Sequence, residues 1–508
     1  MIYEACHNIF SIKERVGYWI TAAWCGGAVI SFELAGARLM LPTFGSGIEV
    51  WAIVISLTLG ALAIGYGLGG KLADARPGLA SLGWVIIASA VSLVVIHLVG
   101  RWAIVRLEHL GFIAGTWLSA TVLFGPTMVF LGMVQPVLAR LMIKDAKRSG
   151  KIVGGLLAVS TAGSMVGAVL TGLVLIPQVG IAMTILSLAI GTAVLGVLTL
   201  VVARLFRGAV TGTFFFVALG IIVAWVNARN LKQRPEHIVE SVEGIYGDLE
   251  VLEHSGSLSL ICNGIFQTTM PMSGVATARG NLIRGRDYIE LIPYLRPQTR
   301  SALLIGLGGG LHAQALARYG IEIQCVEIDP AVVQLAAKHF KLSFEVMVAD
   351  GRVFLRHDTR RYDTIILDVF LGSSLPEHLF TKEAFELMEQ RLMNNGLLAI
   401  HIVGRPSSLA VRAIARTIEA VFSHLVAVRS GFGNELQQIY LFAALSPLEL
   451  HRLSELEQFG FTGKELFNID TQGASVLTDN RTCLGLLNGA TMVEMHRQSQ
   501  NERKHLLW

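Results

Sequence analysis

Charged residues are scarce in this chain, and their scarcity excludes an ordinary soluble protein. Only 15% of the 508 residues are Asp, Glu, Lys or Arg, whereas soluble domains average about 25%. The mean hydropathy is +0.58, and the apolar residues are concentrated before about residue 230. This asymmetry predicts a multi-pass helical membrane domain over residues 1–230, followed by water-facing domains with ordinary charge.

Paired cysteines and basic tracts are also missing. The five cysteines are scattered without a CxxC pair, which excludes a disulfide framework and a cysteine zinc site, and no metal is expected. The formal net charge is only +4, and the basic residues fall in loops between apolar runs. We therefore expect no nucleic-acid partner. The first apolar run lacks a small-residue cleavage site, so no cleavable signal peptide is expected.

Seven apolar runs are each long enough to cross a bilayer, which takes about 20 residues. They cover residues 17–41, 49–70, 80–100, 113–142, 152–177, 181–203 and 209–227. Glycines recur within these runs, and we expect them to allow close helix packing; they include Gly60, Gly65, Gly69, Gly163 and Gly167. Glu33 and Arg38 lie in the first run, where ionisable groups are costly. A structural ion pair is favoured there over a place in a substrate path.

Residues 236–285 predict a small β-strand subdomain. The segments EGIYGDLEVLE (243–253) and LSLICNGIFQTT (258–269) have the pattern of a hairpin region, with Asn263-Gly264 as the tight turn.

Residues 286–445 predict a Rossmann-like α/β domain. The candidate strands are 301–307, 321–328, 343–349, 363–368, 396–403, 422–428 and 436–443. Helical patterns lie between the earlier strands, which predicts a mainly parallel sheet. Residues 446–508 form a C-terminal extension with helical or irregular patterns.

The strongest motif is the glycine turn that follows the first of these strands, with Gly306, Gly308, Gly309 and Gly310 in SALLIGLGGG. A helical pattern and a second apolar run ending on Glu327 come next. Glycines allow the backbone to approach a ligand closely, and a terminal acid suits the two ribose hydroxyls. The unit therefore predicts a site for an adenosine-containing cofactor.

Two further acids end strands of the same predicted sheet. Asp350, followed by Gly351, ends the third strand and could accept the adenine amino group, or it could cap a helix. Asp368 ends the fourth strand, in YDTIILD. A carboxylate at that edge could accept a proton from an amine or stabilise a sulfonium.

Four polar residues around the glycine turn are weaker candidates. Gln267, Tyr288 and Glu290 precede the turn, and each is as readily structural as functional. His312 follows it on the first helical turn and is interpreted as a solvated or capping residue.

The region from about residue 240 to 404 resembles the polyamine aminopropyltransferases, of which spermidine synthase is the type. The shared motifs are NGIFQTT, the glycine turn, VEIDP, ADGRVFL, YDTIILD and LFTKEAFELMEQRLMNNGLLAIH. The N-terminal half looks like the multi-pass segment fused to such domains in many bacteria, and LTDNR (477–481) fits those fusions.

This resemblance implies a spermidine synthase fold that uses S-adenosylmethionine or its decarboxylated form as co-substrate. Glu327 would bind the ribose, Asp350 the adenine, and Gln267 would line the nucleoside pocket, with Asp368 as the catalytic carboxylate. Tyr288 and Glu290 are the candidate substrate-binding residues. A small amine or a lipophilic acceptor, a lipid bilayer and a second copy of the chain are the expected partners.

Departures from the family pattern leave the acceptor open. Spermidine synthases carry an Asp in the glycine turn that holds the amine of the decarboxylated donor, where this chain has Gly309. They carry a second Asp three residues after the catalytic one, where this chain has Leu371. Because an Asp would repel the carboxylate of intact S-adenosylmethionine and a glycine would not, we expect a preference for the intact donor.

Loop charge conflicts with a cytoplasmic C-terminal domain. The loop after the fourth run is the strongest inside candidate, with Arg140, Lys144, Lys147, Arg148 and Lys151. Seven crossings would then place the C-terminal half outside, where adenosine cofactors are scarce. We favour a bacterial inner-membrane protein with the soluble domain in the cytoplasm, and infer that one run is miscounted or that the charge rule misleads.

Two alternatives remain open. The glycine turn with Glu327 also suits an S-adenosylmethionine-dependent methyltransferase. The transporter-like loop GGKLADARP (69–77) and the missing amine-binding groups favour a transporter or sensor that binds a nucleoside without turnover.

Overall fold

A computed structural model describes residues 2–44, 48–143, 145–205, 237–244, 246–272, 287–370, 372–482 and 484–507. The chain divides into two compact units, with the main boundary between Arg234 and Pro235. We call them the helical unit and the α/β unit.

The helical unit consists of long apolar helices: α1 Ile2–Phe44, α2 Ile48–Ala75, α3 Leu79–Leu107, α4 Phe112–Met142, α5 Ser149–Leu170 and α6 Ile176–Val202. A π-helical turn, Thr171–Leu175, joins α5 to α6. Among the described residues, six helices are long and apolar enough to cross a membrane, by length and composition alone. The first six predicted runs are therefore confirmed as helices, and the seventh, at 209–227, lies outside the described residues.

Close backbone approach explains several of the glycines in this unit. A Cβ on Gly163 would lie 2.0 Å from the Ala23 carbonyl oxygen, and one on Gly65 would lie 2.3 Å from that of Val129. Gly69 and Gly167 are similarly crowded, whereas Gly60 has nothing within 4 Å. The packing prediction is correct for four glycines and wrong for Gly60. Glu33 and Arg38 are partly exposed on α1, and their roles remain predictions.

The α/β unit begins with a four-stranded antiparallel sheet in sequential order. Its strands are β1 Ile238–Glu243, β2 Asp248–His254, β3 Ser257–Cys262 and β4 Ile265–Pro271. Asn263 and Gly264 have φ values of 52° and 78°, so they form the tight turn that the sequence predicts. Residues 236, 245 and 273–285 of the predicted subdomain lie outside the described part of the chain.

A larger, eight-stranded sheet follows, in the order β7-β6-β5-β8-β9-β11-β10-β12. Its strands are β5 Ser301–Ile305, β6 Glu322–Glu327, β7 Val346–Val348, β8 Tyr362–Leu367, β9 Leu392–Gly404, β10 His424–Arg429, β11 Gln437–Ala444 and β12 Leu466–Phe467. All seven predicted strands are present.

The sheet is mainly parallel, as the sequence predicts, but strands at one edge make it mixed. Strands β5 to β9 pair in parallel, but β11 is antiparallel to both β9 and β10. Two parallel strands need a crossover connection of about a dozen residues or more. The segment between Arg429 and Gln437 is shorter than this, so β11 pairs with β10 in the antiparallel direction. The short β12 corrects the expectation that residues after 446 are only helical or irregular.

Helices cover both faces of this sheet: α7 Ile292–Leu295, α8 Leu311–Ala317, α9 Pro330–His339, α10 Gly351–His357, α11 Lys382–Arg391, α12 Leu409–Glu419 and α13 Leu484–Leu507. Because the central strands are buried on both faces, they read as continuous apolar runs in the sequence. The strand order reverses between β5 and β8, and ligands of such sheets bind beyond the carboxyl ends of the strands at this point.

Candidate active site

The glycine turn joins β5 to α8 at this reversal point. Gly306, Gly308 and Gly310 have φ values of 89°, 53° and 76°, which glycine adopts without strain. A Cβ on Gly306 would lie 2.0 Å from the carbonyl oxygen of Asp368. Glycine at this position therefore brings the end of β5 against the end of β8.

Glu327, at the end of β6, holds the glycine turn through a hydrogen bond to its backbone. Its two carboxylate oxygens accept hydrogen bonds from the Leu307 N–H at 2.9 Å and the Asp329 N–H at 3.0 Å. Burial raises the pKa of Glu327 above its ordinary value, although these two donors lower it. A carboxylate has about four lone-pair sites, so Glu327 retains the capacity to accept ribose hydroxyls.

Asp350 is the N-cap residue of α10, and its two carboxylate oxygens have different hydrogen-bond partners. It caps the helix by accepting from the Val353 N–H at 2.9 Å, and its second oxygen lies 2.8 Å from His378 Nε2. Burial opposes ionisation, but the Val353 N–H and His378 together hold the pKa of Asp350 below its usual value. The capping interpretation and the adenine-binding interpretation are therefore compatible.

A single cavity brings together most of the predicted nucleoside-binding residues. Its lining includes Gln267, Gly306, Gly308, Glu327, Asp350, Gly351 and Asp368. The remaining predicted residues, Gly309, Gly310, Tyr288 and Glu290, are not among its lining residues. Gly309 donates its N–H to Thr268 Oγ1 at 2.9 Å. Tyr288 and Glu290 are 3% and 0% exposed, so their assigned roles remain predictions.

Asp368 and His401 line the cavity and belong to a group of buried polar side chains that we call the Asp368 cluster: Asp287, His312, Asp368, His401 and Tyr440. His312 bridges the two acids, with Nδ1 2.9 Å from Asp368 and Nε2 2.8 Å from Asp287. His401 Nδ1 lies 2.8 Å from the other Asp368 oxygen. The Tyr440 hydroxyl donates to Asp287 at 3.0 Å.

These contacts fix the charges of the cluster. Burial alone would raise the pKa of Asp368, but the two histidines outweigh it and hold that pKa far below its ordinary value. Burial would lower the pKa of His312, but the charges of Asp287 and Asp368 raise it well above its ordinary value. The two carboxylates of the cluster, Asp287 and Asp368, thus place negative charge beside the cavity, which suits a sulfonium or ammonium ligand.

The cluster also corrects one sequence interpretation. His312 is only 8% exposed and holds two acids, so its interpretation as a solvated or capping residue was wrong. Asp287, His401 and Tyr440 were missed. The available signal was a histidine or tyrosine inside a strand that is otherwise apolar, as in LLAIHIVG and IYLFAA. Leu371, the departure from the family pattern, lies outside the described residues.

The strand order, the glycine turn after β5 and the acids at the strand ends together define a Rossmann-like α/β unit. Residues 289–424 match the family model of the spermine/spermidine synthase domain. The match lies within the α/β unit, where the sequence motifs predicted the resemblance.

Three relatives illustrate the reach of the similarity. The polyamine aminopropyltransferase of Oceanobacillus iheyensis is 23% identical over 440 residues, which are 81% of this chain and 81% of that protein. The polyamine aminopropyltransferase of Vibrio vulnificus is 29% identical over 185 residues, 32% of this chain and 58% of that protein. The N-terminal histidine N-methyltransferase of Emericella nidulans is 35% identical over 129 residues, 24% of this chain and 23% of that protein. The chain thus spans less than two thirds of the last two.

Proposed function

We propose that the α/β unit is a transferase of the aminopropyl type that acts on S-adenosylmethionine or its decarboxylated form and releases methylthioadenosine. The observation that carries this proposal is the Asp368 carboxylate, held ionised by two histidines at the wall of a cavity that also presents the glycine turn, Glu327 and Asp350. Glu327 would bind the ribose, Asp350 the adenine, and Gln267 would line the pocket.

The chemistry needs a polarised donor and a proton acceptor. The acceptor nitrogen attacks the side-chain carbon next to the sulfonium, and the carbon–sulfur bond breaks with its electron pair going to sulfur. Sulfur becomes a neutral thioether, and the nitrogen loses one proton to a base in the site. The negative charge of the Asp368 cluster supports binding of the cationic donor and stabilises the positive charge that moves from sulfur to nitrogen.

The extent of the Oceanobacillus match supports side-chain transfer over methyl transfer. A match over 81% of this chain is longer than residues 235–508 alone would provide, so the similarity includes part of the helical unit. A relative named as a polyamine aminopropyltransferase thus shares both parts of the chain.

Methyl transfer is the second candidate, and Gly309 favours it. An Asp at this position would need space that Thr268 Cγ2 and Phe340 occupy, at 2.8 and 2.9 Å from the position of a Cβ. With glycine at position 309, the turn has no carboxylate to repel the carboxylate of intact S-adenosylmethionine. The Emericella methyltransferase, 35% identical over its match, supports the same alternative.

The deciding experiment is mass spectrometry of the nucleoside product. The full chain in detergent is incubated with either donor and a mixed amine pool, alongside Asp368→Asn. We expect methylthioadenosine from the wild type and none from the variant, which should still bind methylthioadenosine. S-adenosylhomocysteine would establish methyl transfer instead, and absence of both products with nucleoside binding intact would favour a sensor or transporter.

We also propose that the chain prefers the intact donor. Because the Gly309 N–H already bonds Thr268, the preference would rest on the missing carboxylate in the turn rather than on a free N–H. Calorimetry with both donors tests it, and tighter binding of the decarboxylated form would refute it.

We propose that the helical unit anchors the enzyme in the bacterial inner membrane, with the α/β unit in the cytoplasm and a small or lipophilic amine as acceptor. Six helices of sufficient length and hydropathy support this. Protease treatment of spheroplasts should leave a C-terminal tag intact until the cells are lysed. A homodimer is proposed from the family resemblance, and light scattering in detergent would test it.

A further inference from the structure

His401 lines the cavity and carries a buried ring nitrogen that has no hydrogen-bond partner among the described residues. The residue is on β9, its ring is 13% exposed, and the unpaired nitrogen is Nε2. An unpaired buried polar atom is destabilising, so an unpaired nitrogen on a side chain that lines a ligand cavity points to a partner that arrives with the ligand.

Neighbouring groups fix the orientation of this ring. Nδ1 lies 2.8 Å from Asp368, and the ring stacks on Tyr440 with centroids 4.6 Å apart and planes 11° apart. The ring edge of Phe370 packs on it at 5.6 Å. Because an ionised carboxylate only accepts hydrogen bonds, Nδ1 must carry a proton. In the neutral ring, Nε2 is then a lone-pair acceptor.

Asp368 itself is poorly suited to take a proton. Both of its oxygens are engaged by histidines, and its pKa lies far below the usual range because those histidines outweigh the effect of burial. A general base works best when its pKa lies near the operating pH. His312 cannot serve either, since both of its nitrogens donate to acids.

We propose that Nε2 of His401, oriented by Asp368, takes the proton from the attacking acceptor nitrogen. This inference rests on the proposed function and assigns a catalytic residue to it. As the new carbon–nitrogen bond forms and the carbon–sulfur bond breaks, one N–H proton passes to Nε2. The resulting imidazolium is paired with the Asp368 carboxylate and later releases the proton to solvent. Asp287, His312 and Tyr440 are the other titratable groups of the cluster around it.

His401→Asn is the sharpest variant. The Asn amide can replace Nδ1–H as the donor to Asp368, but it has no equivalent of Nε2. In the full chain in detergent, we expect turnover to fall by about 10²–10⁴-fold, the usual contribution of a general base. Methylthioadenosine binding should remain, and the rise of the wild-type rate with pH should disappear. His401→Ala should regain turnover when imidazole is added.

His339→Gln is the matched control, because His339 pairs with Glu240 at 2.5 Å and is not among the lining residues of the cavity. It should retain the wild-type rate and pH profile. If His401→Asn keeps the wild-type rate while Asp368→Asn is inactive, the His401 proposal is wrong and the proposed function stands. Loss of methylthioadenosine binding in His401→Asn, without imidazole rescue of His401→Ala, would make the role structural and overturn the proposal. If the wild type forms no product from either donor, both proposals fail.

Discussion

The two units bury polar groups in different ways. In the helical unit, the buried polar contacts include hydroxyls, such as Thr171 to Ser31 at 2.7 Å and Ser92 with Thr127 at 2.8 Å. In the α/β unit, two acids and a charged histidine are buried together. A hydroxyl can be satisfied by one neighbour, whereas a buried charge needs several partners at once. Breaking a contact should therefore cost far more in the second unit.

Glycine shows the same contrast. Gly163 has ordinary helical geometry and lacks a Cβ so that the backbone of α1 can approach. Gly306 combines that close approach with a φ of 89°, which disfavours any side chain. Gly163 in the helical unit is thus needed only for close approach of the backbone. Gly306 in the α/β unit is needed both for close approach and for its positive φ.

The largest expected effect is that of His312→Gln, because it leaves two buried carboxylates without their shared cation. Breaking a buried pair in this way costs about 3–5 kcal/mol. Thermal unfolding of the full chain in detergent should show this loss at neutral pH. The exposed His451 is the control, and His451→Gln should unfold as the wild type does.

The pH dependence of that loss has a definite sign. The folded-state pKa of His312 is raised, so its stabilisation is complete below the unfolded value of about 6.5 and is lost as the pH rises through the folded value. The pKa of Asp368 is lowered, so its contribution is present above about 3.9 and is lost as the pH falls. The stability of the wild type should therefore decline as the pH rises above neutral. If the stability of His312→Gln declines with pH as steeply as that of the wild type, this assignment to His312 is wrong.

Gly306→Ala is expected to have the next largest effect. The strained φ and the contact with the Asp368 carbonyl each cost about 1–3 kcal/mol, and the strain also moves the end of β8. Methylthioadenosine binding, measured by calorimetry, should be lost. Gly320 is a matched control, because its φ is 79° but nothing lies within 4 Å of a Cβ there. Gly320→Ala should cost only about 1 kcal/mol and retain binding.

These two variants also separate what the sequence could predict from what it could not. Gly306, Glu327, Asp350 and Asp368 follow or end apolar runs, and a parallel sheet brings such positions to one edge. Local pattern is therefore sufficient to predict that part of the cavity. The helices of the first six apolar runs were predictable for the same reason, since a span needs only length and hydropathy.

The rest of the cluster depends on which strands become neighbours. His401 meets Tyr440 because β9 pairs with β11, and that pairing is the antiparallel one that the prediction of a mainly parallel sheet missed. Asp287 reaches Tyr440 across 153 positions of the chain. No local pattern encodes such contacts, so the interpretation of His312 was wrong, whereas Asp368 was correctly predicted to lie at the end of a strand.

Gly163→Ala should have a smaller effect than Gly306→Ala, because only the close approach is lost. Overpacking of this kind costs about 1–3 kcal/mol, and it should lower the thermal midpoint of the chain in detergent without changing nucleoside binding. Gly154 lies on the same helix with nothing within 4 Å of a Cβ. Gly154→Ala should be neutral or stabilising, by up to about 1 kcal/mol. Equal losses in both variants would show that the crowding at Gly163 is not what limits the packing.

Ser31→Ala should have the smallest effect. It removes the acceptor of the Thr171 hydroxyl and a weak bond of 3.3 Å to the Gly167 carbonyl. Side-chain hydrogen bonds between membrane helices average only about 0.6 kcal/mol, because a hydroxyl that loses one partner finds another. In a series with Thr171→Ala and the double variant, the coupling energy should stay near that value and should not vary with pH, since neither group titrates. The coupling energy could instead be as large as the loss of unfolding free energy in His312→Gln. The helical unit would then depend on its buried polar contacts as strongly as the α/β unit does, and the contrast between the two units would be wrong.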